Sequence, residues 1–259
     1  MPDERTQGGN RSNNARLITG INAVAEAVAS GHSLESVLLL NNTGNARIFE
    51  VLKECRKRKV PVQLVPRQKL DFLTRQNHQG AIAFASVKEY VPLERLFDLA
   101  RERNEAPLLV IPDGVEDPQN LGALMRTVLC AGAHGLILPA ADSAGLSEGA
   151  SRSSAGAIEH LAVHRTANMP GTLKAVKEAG VRLVGFEAGE GRPLWDTDLT
   201  GPLAVVLGGE NRGIRPHIRR ELSALSHLPL SGPLRSLNVS AAGAAVLFEV
   251  VRQRTPGAA

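Results

Sequence analysis

The sequence predicts an α/β protein built on a mostly parallel sheet. Short apolar runs of strand length alternate with segments whose apolar residues recur at helical spacing. Two runs in the second half, residues 107–112 and 203–207, are almost wholly apolar, as in strands buried on both faces. Both empty into polar, turn-rich loops, at 113–120 and 208–213, where the backbone is free to face a ligand.

From the start of the chain, residues 1–14 are polar and lack an apolar core, so they read as a disordered tail and not as a signal peptide. Residues 21–30 form an Ala-rich helix closed by Gly31. Strands are expected at 36–40, 60–65 and 80–87, with helices at 46–59 and 67–74. The first of these helices repeats Ile48, Val51, Leu52 and Cys55. Together they make a small α/β domain over residues 15–88. From Arg47 to Arg75 it carries nine Lys or Arg against three acids, which suits docking on RNA. Residues 89–106 hold a charged helix at 93–103 between Pro92 and Pro107 and read as a linker.

The second domain is expected over 107–259. After the strand at 107–112, Asn120 occupies an N-cap position before a helix over 121–131, and Arg126 lies about a turn and a half in. A strand follows at 135–139, then a run of small residues around Arg152 (147–156, SEGASRSSAG) that reads as a loop or a place of close approach. Further strands are expected at 160–164, 181–186, 203–207 and 225–230, with helices at 171–180 and 241–252.

Composition excludes several function classes. No apolar run reaches the roughly 18 residues of a membrane helix, so a cytoplasmic protein is expected. Cys55 and Cys130 fall within helical patterns, as reduced and mostly buried thiols, and the seven His are scattered, so no metal site is expected. A net charge of +4 and a pI near 9.4 favour a polyanionic partner. The stretch 208–213 (GGENRG) is neither a dinucleotide fingerprint, since Glu210 stands at the second glycine, nor a P-loop, since Ile214 follows Gly213.

Three stretches together resemble the SpoU (TrmH) family of RNA ribose 2′-O-methyltransferases in the SPOUT superfamily. They are 117–127 (DPQNLGALMRT), 206–214 (VLGGENRGI) and 228–240, from LPLSG to SLNVS. Residues 152–157 (RSSAGA) match a weaker fourth stretch. At the front, 20–24 (GINAV) and 78–83 (HQGAIA) resemble the L30e-like substrate-binding domain of an RlmB-like branch, whose target is a guanosine of large-subunit (23S) rRNA. A tRNA target, or a non-catalytic ribosome-assembly protein on the same scaffold, is the alternative.

The resemblance implies a C-terminal α/β-knot domain with a deep trefoil knot, a homodimer, and S-adenosylmethionine as methyl donor. It implies cofactor contacts at Gly208, Leu228 and Leu237. It implies polar active-site roles for Asn120, Arg126, Glu210, Ser236 and Asn238. Arg126 would act on the ribose hydroxyl, as general base or as electrostatic stabiliser of the alkoxide; a guanidinium is nearly always charged, which favours the second role.

Overall fold

The computed structural model describes residues 17–209 and 213–255. The expected tail at 1–14 and the expected site residue Glu210 lie outside the described residues. The chain divides between Val87 and Lys88 into two compact units.

The first unit contains β1 (Leu17–Thr19), α1 (Ile21–Ala29), β2 (Leu34–Leu40), α2 (Ala46–Lys57), β3 (Val62–Val65), α3 (Arg67–Leu73) and β4 (Ala81–Ala85). Its sheet runs β1-β4-β2-β3, with only the β2–β3 pair parallel. Side chains alternate across a strand, so β2 serves two cores. Val37 and Leu39 pack with Val24, Ile48, Val51 and Cys55 of α1 and α2. Leu38 packs with Val65, Leu70 and Ile82 on the α3 side. Burial raises the Cys55 thiol pKa to about 11, so it stays a protonated core residue. Cys130, by contrast, is exposed, because it falls on the outer face of its helix.

The second unit begins with α4 (Leu93–Glu102). The stretch expected as a linker is packed: Leu93 and Leu96 join Leu109, Ile111 and Ile137 in the core. Their spacing, with Ala100 also buried, forms one apolar stripe that needs a sheet to cover it.

Next come β5 (Leu108–Asp113), α5 (Pro118–Cys130), β6 (Gly135–Pro139), α6 (Glu148–Ser153), α7 (Ala157–His160), β7 (Val163–Thr166), α8 (Met169–Glu178) and β8 (Arg182–Phe186). The short β9 (Arg192–Pro193), a 3-10 turn (Leu194–Asp196), β10 (Leu203–Gly208), α9 (Pro216–Arg219), β11 (Ala224–His227) and α10 (Val239–Arg254) complete it. Seven parallel strands run in the order β7-β6-β5-β10-β8-β11-β9. From β5 the chain first builds outward through β6 and β7, and β10 later returns to β5's other side. The sheet therefore has a switch point between β5 and β10, where the chain's direction of growth reverses. In register, Gly208 lies opposite Asp113 where the two strands end.

Two elements differ from expectation around α5. The helix starts three residues early: Pro118 takes the first position and Asp117 is the cap, accepting from the Gln119 N–H at 2.9 Å. Asn120 is thus freed from capping. The small-residue run is the helix α6, laid against α5. A Cβ on Gly122 would stand 2.0 Å from Ser153 Oγ and 2.4 Å from the Ala150 carbonyl oxygen, so glycine sets how closely these helices approach.

At the opposite end of the sheet His134 is buried. Its Nδ1 accepts from the Leu108 N–H at 3.0 Å, so Nε2 carries the proton and donates to Glu105 at 3.1 Å. Burial, then the nearby Arg103 cation, lower its pKa. The unfolded chain takes up a second ring proton near the ordinary value of 6.5, while the folded chain resists it. The contribution to stability is therefore complete above that value and is lost as pH falls below it. Urea midpoints should drop between about pH 7.5 and about pH 5. They should drop less steeply in His134→Gln; equal slopes in the two proteins would remove the histidine from the account.

Candidate functional site

The exit loops of β8, β10 and β11 and the start of α10 enclose a cavity of about 230 Å³. Gly208, Gly209 and Gly213 line it from β10's loop. Phe186, Glu187 and Ala188 come from β8, and Leu228 and Leu230 follow β11. Ser236, Leu237, Val239 and Ala242 close the far side.

The glycines are there for closeness. Gly209 and Gly213 form an antiparallel bridge. A Cβ on Gly208 would stand 2.9 Å from the Gly213 carbonyl carbon, and one on Gly209 would stand 2.4 Å from the Gly114 carbonyl oxygen. Backbone atoms cannot retreat as a flexible side chain can, so β10's loop and β5's loop meet main chain to main chain. Bare backbone then faces the cavity on one side. On the other, Leu230 and Leu237 leave apolar surface uncovered, 39% and 47% exposed. An apolar slot with backbone polar groups at its edge fits a flat heteroaromatic ring.

Of the residues expected in the site, Gly208, Leu228, Ser236 and Leu237 line this one cavity. Asn238 adjoins it as the cap of α10. Its Oδ1 accepts from the Ser240 N–H at 2.9 Å and the Ser240 hydroxyl at 2.6 Å. That orients the amide, so Nδ2 donates to Asn120 Oδ1 at 2.9 Å. The bond joins the start of α5 to the start of α10.

Arg126 stands apart. It is exposed, its side chain forms no hydrogen bond or ion pair among the described residues, and it is not in the cavity lining. Six residues after Asn120, it projects about 120° away around α5. Within one chain the structure does not bring it to the cavity.

Sequence reasoning missed a buried ion pair beneath the site. Asp113, fully buried at the end of β5, accepts from the Arg215 backbone N–H at 2.7 Å and from its Nε at 2.6 Å. Arg215 also approaches Asp142 at 3.7 Å. The loop after β10 is thus tied at Arg215 to the strand it leans on. A signal existed: Asp113 ends an apolar run that otherwise has no use for a charge. Glu187, held by Arg219 at 3.1 Å, was missed as well. Its position follows from β8 being β10's parallel neighbour, which the chain order alone does not reveal.

Among the described residues no group of three or more His, Cys, Asp or Glu is placed to hold a metal ion, and no helix is long and apolar enough to cross a membrane.

Known proteins share this architecture and sequence. The pattern of the SpoU rRNA Methylase family matches residues 107–248. The pattern described as RNA 2′-O ribose methyltransferase substrate binding matches residues 17–91. YacO of Bacillus subtilis strain 168, named for the TrmH family of tRNA/rRNA methyltransferases, is 37% identical over 92% of this chain and 96% of its own. A similarly named Staphylococcus saprophyticus protein is 33% identical over the same shares. The AdoMet-bound rRNA methyltransferase from Sinorhizobium meliloti superposes with a TM-score of 0.55 at 26% identity, over 92% of this chain and 87% of that one. AviRb from Streptomyces viridochromogenes, solved with AdoMet, shares the fold with a TM-score of 0.57 at 24% identity, over 92% and 89%. With one family pattern spanning more than half the chain and a relative 37% identical along nearly all of it, the chain belongs to the SpoU rRNA methylase family.

Proposed function

We propose that the protein methylates a ribose 2′-hydroxyl in RNA with S-adenosylmethionine as donor, and that its target is a guanosine of 23S rRNA. The observation that carries this reading is the glycine-floored, leucine-walled cavity among the exit loops of β8, β10 and β11, beside the Asn120–Asn238 pair. The cavity fits the cofactor's adenosine, with Gly208 offering main chain and Leu228 and Leu237 the apolar walls. Bound there, the cofactor supplies an electrophilic methyl group on a sulfonium. The protein's own work is to position the acceptor and manage one proton and the developing alkoxide charge.

In this reading Arg126 supplies positive charge at the ribose oxygen. Asn120 and Asn238 hold the two helix starts that border the site, Ser236 faces the cavity, and Glu210 braces the loop after β10. Arg126's direction on α5 supports a homodimer in which it serves the partner's cavity. A trefoil knot formed by the last loops, and an N-terminal domain of the L30e-like kind that grips the RNA, complete the proposal. The substrate-binding match over residues 17–91 supports that grip. A cytoplasmic place of work goes with such a substrate.

The test is transfer of labelled methyl to unmodified bacterial rRNA and tRNA, followed by mapping of ribose methylation. Label on a 23S guanosine ribose is expected. Label in tRNA alone would replace the target, and cofactor binding without transfer to any RNA would favour a non-catalytic assembly protein.

A further inference from the structure

The chain has only six Phe, one Trp and one Tyr, and one of the phenylalanines stands almost wholly in water. Phe72 of α3 is 85% exposed, the most exposed large hydrophobic side chain among the described residues. The helix does not need it there. Leu70 is α3's buried anchor, packed on Leu38, Val65 and Ile82, and Phe72, two residues on, points the opposite way. Gln68 and Lys69, four and three residues before it, share its exposed face. Arg67, the first residue of the helix, and Arg75, two residues past its end, are exposed too.

The local charge is one-sided. Asp71 is the only acid between Arg67 and Gln79. It is already engaged by His78 at 2.8 Å and faces Arg67 at 3.7 Å. The Lys69 and Arg75 side chains form no hydrogen bond or ion pair among the described residues. A bare aromatic ring among uncommitted cations fits a polyanion with flat apolar faces. Protein partners offer one or the other; an unpaired stretch of RNA offers both in each nucleotide.

We propose that Phe72 stacks on an unpaired base of the RNA substrate while Lys69 and Arg75 hold the adjoining phosphates. This rests on the RNA-methylating reading and deepens it, by making single-stranded RNA what the first unit recognises. A duplex keeps its base faces covered, so the ring has nothing to stack on there.

The probe is a labelled, mixed-sequence single-stranded RNA of about a dozen nucleotides, read by anisotropy against the same sequence in a duplex. Phe72→Ala should weaken single-strand binding about tenfold, and Phe72→Tyr should retain it. Phe72→Trp should add an emission, above that of Trp195, that RNA quenches. Lys69→Ala with Arg75→Ala should flatten the dependence of log K on log salt by roughly 1.4. The side chain is almost wholly solvated, so these variants should fold, and cofactor affinity should not move.

Unchanged single-strand affinity in Phe72→Ala overturns the proposal. So does a change in oligomeric state with RNA binding intact, which would make the ring a contact between copies. If the wild type methylates no RNA yet Phe72→Ala still weakens binding, the enzymatic reading fails and this one stands. If methylation proceeds and Phe72→Ala binds RNA as the wild type does, only the stacking fails.

Discussion

Arg126→Ala is expected to abolish methyl transfer while cofactor affinity stays within a few fold of the wild type. The two effects separate because Arg126 is outside the cavity lining, so removing it leaves the cofactor's walls intact. What is lost is a positive charge where the 2′-oxygen turns negative, and one such electrostatic contact accounts for roughly 10²–10³ in rate. A role in proton removal would add to that. Isothermal calorimetry with cofactor, beside a single-turnover assay, reads both quantities. Loss of cofactor binding in the same variant would leave a catalytic role unsupported. The geometry also predicts complementation. Mixed with a Gly209→Ala variant whose cavity is spoiled, Arg126→Ala protein should regain part of the activity if one copy's arginine serves the other's cavity. No recovery after subunit exchange would place its action within its own chain.

The second large effect is expected at Asp113. Asp113→Ala removes both acceptors that hold Arg215 and leaves a partly buried guanidinium and a backbone N–H without them. Breaking a buried pair from one side costs about 3–5 kcal/mol. Arg215 is 22% exposed, which lets water compensate some of this, so a value near the lower end is expected. Urea unfolding reads that loss. Cofactor affinity should fall as well, because Arg215 ends the loop whose glycines floor the cavity. Asp113→Asn keeps an acceptor for the backbone N–H and should lose less on both counts. A wild-type unfolding midpoint in Asp113→Ala would show that the tether carries no weight.

These two residues mark what sequence could and could not disclose. The α/β class was legible because β5, β6 and β10 are buried on both faces and so wrote themselves as unbroken apolar runs. Gly208, Leu228, Ser236 and Leu237 were legible by resemblance, and the fold collects them around one cavity. The reading of Asn120 as a helix cap was wrong. Both Asp117 and Asn120 are good caps, and only Pro118, whose ring suits a first helical position, decides between them. The Asp113–Arg215 pair was hidden because its partners are about a hundred residues apart and meet only once β10 lies beside β5. The run at 147–156 was ambiguous because small residues serve loops and tight helix contacts equally; Gly122 on the facing helix resolves it. The linker reading failed because charge on α4's outer face masked the stripe that seats it on the sheet.

The strand order also sets a schedule for synthesis. Every strand pair of the first unit closes within residues 17–85, so that sheet can form soon after its last strand leaves the ribosome. The second sheet cannot. Its central pair joins Leu108 to Leu203, about 95 residues later. At roughly 5–20 residues per second, β5 waits some 5–20 s for its neighbour. During that interval one edge of an almost wholly apolar strand has no partner, which is the condition under which nascent chains aggregate. A nascent chain halted before residue 203 should therefore hold chaperone on its second half while its first half is already folded.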